Sequence, residues 1–236
     1  MQRHRVQALL MGGQACVFYG GAEFSRDADL ALLAEPSNLQ RLGAALEELR
    51  AEPIAVPPLS LEVLARGHAV HFRCGHPDVA GMRIDLMSRM RGVDPVEQLW
   101  SRRTTAEFDD GFRLDLLSLP DLVAAKKTQR DKDWPMIRRL VEADFYSHRA
   151  DPTPERVRFW LAQARTPSLL IEVAARWAES ARAAVGDRPL LRHATEDDVE
   201  GLAEALLEEE RLERTRDRAY WEPLRIELES WRRGVR

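Results

Sequence analysis

Apolar and polar positions alternate along several short segments in the first half of the chain, which is typical of β-strands. The clearest alternation runs from Asp27 to Leu33, with Asp27 and Asp29 on one face and Leu30 and Leu32 on the other. Weaker alternation predicts three further strands, over residues 69–74, 82–87 and 112–117. The first half of the chain is therefore predicted to contain a β-sheet.

Two details of this sheet bear on chemistry. An apolar run over residues 6–11 stops at the pair Gly12-Gly13, and residues 16–19 fit either a strand or a short buried helix. Asp85 lies midway along the strand predicted over 82–87, on the face opposite its apolar neighbours. A carboxylate in the middle of a strand needs a partner or solvent, so Asp85 is a candidate functional residue.

Helical spacing predominates in the second half of the chain. A helix is already predicted over 38–50, capped by Ser37 or Asn38, and Thr195 with Asp198 predicts a capping box at the start of a helix over 195–212. Six prolines are spaced as helix boundaries are: Pro135, Pro152, Pro154, Pro167, Pro189 and Pro223. These patterns predict an α+β protein, with a mixed β-sheet and flanking helices in residues 1–118 and an all-helical region in residues 119–236.

Composition narrows the class of protein without identifying it. The 236 residues are 44% hydrophobic and 31% charged, with a net charge of −4, which argues against binding nucleic acid through bulk charge alone. No apolar run approaches the length of a membrane span, and the basic start of the chain lacks a signal-peptide cleavage site. We expect a cytoplasmic protein without a membrane partner, in which Cys16 and Cys74 are buried reduced thiols.

The Asp27-Ala28-Asp29 segment is the strongest candidate for chemistry. An Asp-x-Asp on a strand places two carboxylates on one face, where they repel each other unless a cation lies between them. Carboxylate oxygens suit Mg²⁺ or Mn²⁺, and Asp85 could supply a third ligand. The alternative is that Asp27 and Asp29 are a solvated pair at the start of a strand.

Glycines and lysines add to this interpretation. Gly12-Gly13 between a strand and a possible helix could hold a phosphate through backbone N–H groups, and Ser25 could add a hydroxyl donor. Of the 35 basic residues only three are lysines, and all three fall within one seven-residue window: Lys126, Lys127 and Lys132. At helical spacing Lys126 follows an apolar stripe, so its stem is predicted to pack on the core and its ammonium to reach a phosphate or carboxylate.

Taken together, these motifs resemble a known signature. Gly12-Gly13, thirteen intervening residues and Asp27-Ala28-Asp29 resemble the polymerase-beta-like nucleotidyltransferase superfamily. The string from Ser25 to Leu30 is similar to its minimal, toxin-type (abortive-infection-like) branch, although Glu23 stands where that branch usually has arginine. The resemblance covers about residues 8–140. It extends through Leu119-Pro120-Asp121-Leu122, Lys126, Arg130 and Lys132-Asp133, which are similar to the helical segment of that branch.

The resemblance implies a nucleotidyltransferase fold and transfer of a nucleoside monophosphate from an NTP such as ATP to an acceptor hydroxyl, with release of pyrophosphate. In that family the matching residues would bind Mg²⁺ or Mn²⁺ through Asp27, Asp29 and Asp85. The phosphates of the NTP would be held by Gly12, Gly13 and Ser25. The charge of the transferred group would be neutralised by Lys126, and the nucleotide would also be bound by Lys132 and Asp133. The acceptor could be a tRNA end, a protein or a small molecule, and a toxin of this type would have a cognate antitoxin. The alternative is a catalytically degenerate relative that acts as a nucleotide- or partner-binding module. Glu23, which stands where the branch usually has arginine, is the observation that favours this alternative.

Overall fold

The computed structural model describes residues 1–234, in which seven strands form one mixed β-sheet. The strands are β1 Ala8–Met11, β2 Ala28–Leu32, β3 Ala51–Pro53, β4 Val70–Cys74, β5 Arg83–Met87, β6 Thr104–Glu107 and β7 Arg113–Leu116. Their order across the sheet is β3-β4-β5-β2-β1-β7-β6. The pairs β2–β5 and β1–β7 are parallel, and the other neighbours are antiparallel.

Helices flank the sheet and make up the later part of the chain. They are α1 Gly12–Phe18, α2 Pro36–Glu48, α3 Leu61–Arg66, α4 Val96–Ser101, α5 Leu119–Ala125, α6 Asp133–His148, α7 Pro154–Gln163, α8 Pro167–Arg176, α9 Ala178–Ala184, α10 Leu191–Thr195 and α11 Val199–Gly234. The predicted α+β class, with a mixed sheet, flanking helices and a C-terminal helical region, is confirmed. Within residues 1–234, no helix combines the length and the apolar character needed to cross a membrane.

The chain divides into two compact units. The first comprises Met1–Phe18, Ala22–Ala125 and the chain from Ala219 onward, and the second comprises Tyr19–Gly21 and Lys126–Arg218. Helix α5 packs with α1 and falls in the first unit, although it follows the predicted boundary at residue 118. The whole sheet therefore belongs to the first unit, and helices α6 to α10 belong to the second.

In the first unit, the two faces of strands β4 and β5 differ sharply. One face carries apolar side chains that are almost fully buried: Val70, Phe72, Cys74, Ile84 and Leu86. The other face carries polar side chains at the alternate positions: His71, Arg73, Arg83 and Asp85. The period of two places the first set in the core and leaves the second set on a face that can bind a ligand.

Some predicted elements have different bounds or were missed. Of residues 16–19, left open between strand and helix, the first three form the end of α1 and Tyr19 follows in a turn. Helix α2 begins at Pro36, so neither Ser37 nor Asn38 is its cap. Strand β3, helix α3 and strand β6 were not predicted. Strand β3 lies at the edge of the sheet and has a neighbour on one side only. Pro53 is tolerated there because the N–H that proline lacks is not needed for a hydrogen bond to a second neighbouring strand.

Two predictions about the last helix are wrong. Thr195 does not cap it but ends α10, where its hydroxyl donates to the carbonyl of Arg192 at 2.9 Å. Asp198 precedes α11, and its Oδ1 accepts a hydrogen bond from the N–H of Gly201 in the first turn at 2.9 Å. Pro223 is not a boundary but lies inside α11.

Candidate functional site

Three aspartates lie near one another on the polar face of the sheet, where β2 and β5 run parallel. Asp29 and Asp85 are register partners across these two strands. Register partners in neighbouring strands project to the same face, so the two carboxylates are neighbours. Asp27 lies one residue before β2, and its charge, together with that of Asp29, contributes to raising the pKa of Arg83 on β5. The structure thus places Asp29 beside Asp85, with Asp27 two residues before Asp29 along the chain.

Asp85 is held by two side chains that sequence reasoning did not assign to the site. Its Oδ1 lies 2.8 Å from His71 Nδ1 and accepts from Arg83 Nε at 2.6 Å. Burial by itself would raise the pKa of Asp85, but His71 and Arg83 outweigh that effect and leave the pKa below its usual range. Asp85 is therefore ionised at neutral pH.

The signal for these two residues was present in the strand pattern. Arg83 precedes Asp85 by two positions and shares its face, and His71 is the register partner of Asp85 on β4. What the sequence did not show was the register in which β4 pairs with β5. Without that register, the sequence gives no reason to assign His71 to the site.

The glycine pair lies directly against Asp29. Strand β1 ends at Met11 and α1 begins at Gly12, whose φ of 66° is in the left-handed region that favours glycine. The N–H of Gly13 donates to Asp29 Oδ2 at 3.4 Å. A Cβ added to Gly12 would lie far inside van der Waals distance of the Asp29 carboxylate. Gly12 therefore provides the space that Asp29 occupies.

Ser25 completes this part of the site. Its hydroxyl donates to the carbonyl of Asp27 at 3.5 Å, a long hydrogen bond. A Cβ added to Gly13 would overlap the Ser25 hydroxyl, so the serine lies over the second glycine. Gly12, Gly13, Ser25, Asp27 and Asp29 are thus assembled in the first unit, whereas Glu23 is exposed.

Lys126 and Asp133 form a buried ion pair within the second unit. Lys126 lies just past the end of α5 with only 6% of its surface exposed, and its Nζ donates to Asp133 Oδ1 at 3.2 Å. Asp133 is fully buried, and its Oδ2 also accepts from the Thr128 hydroxyl at 2.5 Å and from Arg130 Nε at 2.7 Å. The carboxylate partner predicted for Lys126 is therefore Asp133, whereas Lys132 is exposed.

The Asp133 carboxylate is ionised despite its burial. Burial alone would raise its pKa, but Lys126, Thr128 and Arg130 together leave the pKa below its usual range. Such a network fixes the start of α6 and the loop before it. The structure thus brings Lys126 and Asp133 together, as two of the residues predicted to bind the nucleotide.

The donor chemistry at Asp27, Asp29 and Asp85 fits a hard divalent cation. Within residues 1–234, no three or more His, Cys, Asp and Glu side chains are placed so that they could hold a metal ion together. Mg²⁺ does not require such a set, because it typically binds one or two carboxylates, several waters and substrate phosphate oxygens. Adjacent carboxylates suit that mode of binding.

Comparison of the chain with protein-family models finds no match, and comparison with curated proteins finds none either. The resemblance of Gly12-Gly13 and Asp27-Ala28-Asp29 to the nucleotidyltransferase signature therefore stays a prediction. Support for a function comes from the register, hydrogen bonds and charges of the site itself.

Proposed function

We propose that this chain is a metal-dependent nucleotidyltransferase, which moves a nucleoside monophosphate from an NTP to an acceptor hydroxyl. The observation that carries the proposal is the parallel register of Asp29 with Asp85, next to Asp27 and to the Gly13 N–H. Neighbouring carboxylates repel one another, and the single guanidinium of Arg83 offsets only part of their charge. A bound divalent cation would offset the rest of that negative charge and part of the charge of the NTP phosphates.

Each residue of the first unit has a role in this proposal. Asp27 and Asp29 would hold Mg²⁺ or Mn²⁺, which when bound polarises phosphate oxygens and offsets their charge. Asp85 would accept the proton of the acceptor hydroxyl or contribute to a second metal site. The acceptor oxygen forms a bond to the α-phosphorus, and the bond from that phosphorus to pyrophosphate breaks. The backbone at Gly12-Gly13 and the Ser25 hydroxyl would hold the departing phosphates.

The roles proposed for residues of the second unit rest on the resemblance to the nucleotidyltransferase signature. Lys126 would neutralise charge on the transferred nucleotide, while Lys132 and Asp133 would contribute to nucleotide binding. The acceptor stays open between an RNA end such as that of tRNA, a protein hydroxyl and a small molecule. A role as the toxin of a cytoplasmic toxin–antitoxin pair belongs to the same proposal.

Calorimetric titration tests the proposal. Wild-type protein is titrated with each NTP in the presence of Mg²⁺ and again in the presence of EDTA. We expect binding only with the metal, and its loss in the double variant Asp27→Asn with Asp29→Asn. Asp109→Asn, an exposed turn residue of the first unit, is the matched control and should bind as wild type does. Binding that survives EDTA or the double substitution would exclude the proposed site.

An incubation with labelled NTPs identifies the reaction and its acceptor. Cell extract is incubated with the protein and with NTPs labelled at the α-phosphate, and both labelled acceptors and pyrophosphate are measured. Transfer of label that depends on Asp85 supports catalysis and reveals the class of acceptor.

A binding module without transferase activity is the second candidate. Two observations favour it: exposed Glu23 stands where the resembling branch has arginine, and Asp85 is engaged by His71 and Arg83. Such a module would bind Mg²⁺ and an NTP in the calorimeter but release no pyrophosphate in the presence of cell extract. The two measurements therefore separate the candidates.

A further inference from the structure

Arg83 lies among the carboxylates of the candidate site. Its Nε donates to Asp85 Oδ1 at 2.6 Å, and its terminal NH2 nitrogen lies 3.0 Å from His71 Nδ1. The hydrogen bond to Asp85 raises the pKa of Arg83, and the charges of Asp27 and Asp29 add to that effect. One guanidinium is thus within electrostatic reach of all three aspartates.

The strand register explains this position. Arg83 is two residues before Asp85 on β5, so both side chains lie on the same face. Ala28 pairs with Ile84 in the parallel register, which places the preceding residues, Asp27 and Arg83, next to each other. Arg83 is therefore a neighbour of Asp27 across the two strands and of Asp85 along its own strand.

A positive side chain in this position competes with a metal ion. A divalent cation held by Asp27 and Asp29, with Asp85 beside it, would lie within a few ångströms of the guanidinium. Like charges at such a distance repel strongly where the surroundings are partly buried. The Arg83 side chain is 39% exposed, so it can turn toward solvent when a cation arrives.

We propose that Arg83 is a resident counter-ion of the carboxylate cluster, which offsets part of its negative charge in the metal-free protein and is displaced from Asp85 when a divalent cation binds. The inference rests on the proposed function, since it takes Asp27 and Asp29 as the metal ligands with Asp85 beside them. Arg83 is a positioning residue here: it holds Asp85 in place before the metal arrives and lowers the affinity for free metal. A metal ion that carries a triphosphate meets less resistance, because the phosphates offset its charge.

Binding of Mn²⁺ alone, measured by electron paramagnetic resonance on the full chain without nucleotide, tests this inference. Arg83→Gln removes the competing charge, and we expect it to lower the Kd for Mn²⁺ about three- to tenfold. Arg73→Gln is the matched control, because Arg73 is the exposed register partner of Arg83 on β4. It should change the Kd less than about twofold.

The outcomes separate this inference from the proposed function. The double variant Asp27→Asn with Asp29→Asn defines the specific Mn²⁺ site as the binding that it abolishes. If wild type has such a site and Arg83→Gln binds no more tightly, the counter-ion role is wrong and the proposed metal site stands. If neither wild type nor Arg83→Gln has such a site, the counter-ion role is wrong, and the titration with Mg²⁺ and NTP decides the proposed function separately.

A measurement on the wild-type protein covers the case in which Arg83→Gln does not fold. The Nε–H groups of arginines give separate signals in ¹H–¹⁵N spectra, and the signal that disappears in Arg83→Lys is assigned to Arg83. Titration with diamagnetic Mg²⁺ should shift or broaden this signal as the bond to Asp85 breaks. A signal that stays unchanged at saturating Mg²⁺ would overturn the inference.

Discussion

Asp29 and Asp85 are register partners in the parallel pair formed by β2 and β5. The two strands are far apart in sequence, and β3 and β4 intervene between them along the chain. Only the parallel pairing of β2 with β5 brings the third carboxylate beside the Asp-x-Asp motif. The candidate metal site is therefore a product of the sheet topology, and its parts can be tested separately.

Gly12→Ala should damage the site through the position of Asp29. The new Cβ would overlap the Asp29 carboxylate, and alanine at a φ of 66° is strained by about 1–3 kcal/mol. We expect chemical denaturation to show a loss of stability of that size, together with weaker binding of Mg²⁺. Gly43→Ala is the control, because a Cβ there meets open space inside α2 and should stabilise the protein by up to about 1 kcal/mol. Equal effects of the two substitutions would contradict the close approach of Gly12 and Asp29.

Asp133→Asn should destabilise the second unit by about 3 kcal/mol at neutral pH, because it leaves the Lys126 ammonium buried without its counter-charge. Asp131→Asn is the control two residues away. Its side chain is 95% exposed beside Arg214, so the substitution should change the free energy of unfolding by less than about 1 kcal/mol.

The same pair predicts a dependence on pH. The pKa of Asp133 is lowered in the folded protein, so its ionisation stabilises the fold fully above the unfolded-state pKa of about 3.9. That contribution is lost as the pH falls from there through the lower folded-state pKa. The difference in unfolding free energy between wild type and Asp133→Asn should therefore shrink below about pH 4. A difference that stays constant down to pH 2 would be inconsistent with the ionised pair.

Pro223→Ala should stabilise the protein. Pro223 is exposed inside α11, where proline removes a helical hydrogen bond and crowds the preceding turn. After allowance for the greater freedom of the unfolded chain, we expect thermal or chemical unfolding to show a gain of about 1–2 kcal/mol. Pro36→Ala at the first turn of α2 should give no gain, because proline is favoured there. A loss of stability in Pro223→Ala would contradict an uninterrupted helix.

Much of the fold could be predicted from local patterns, and the exceptions have physical causes. The alternation around Asp29 and Asp85 is detectable because one face of each strand is buried, so β2 and β5 were predicted within one residue of their bounds. Strand β3 was missed because a three-residue edge strand containing Pro53 has no periodicity to detect. Pro223 was misread as a boundary because a local rule cannot show that α11 continues beyond it.

The site was predictable only in part, for a related reason. Gly12 and Asp29 belong to one short segment with a recognisable spacing, and the structure places them in contact. The partners of Asp85, His71 and Arg83, depend on the register of β4 with β5, which the sequence of either strand alone does not specify. The acceptor depends on surfaces for which no motif was found.

Asp27→Asn should separate function from stability. Asp27 is exposed, so its neutralisation should change the free energy of unfolding of the metal-free protein by less than about 0.5 kcal/mol. In wild type, Mg²⁺ at ten times its Kd should add about 1.4 kcal/mol, which corresponds to a rise in Tm of about 3–5 °C. Asp27→Asn should lose most of that rise while Asp109→Asn keeps it, as measured by calorimetry with Mg²⁺ and with EDTA. A full Mg²⁺-dependent rise in Asp27→Asn would mean that the cation stabilises the protein elsewhere, because a ligand shifts Tm only through the site that binds it.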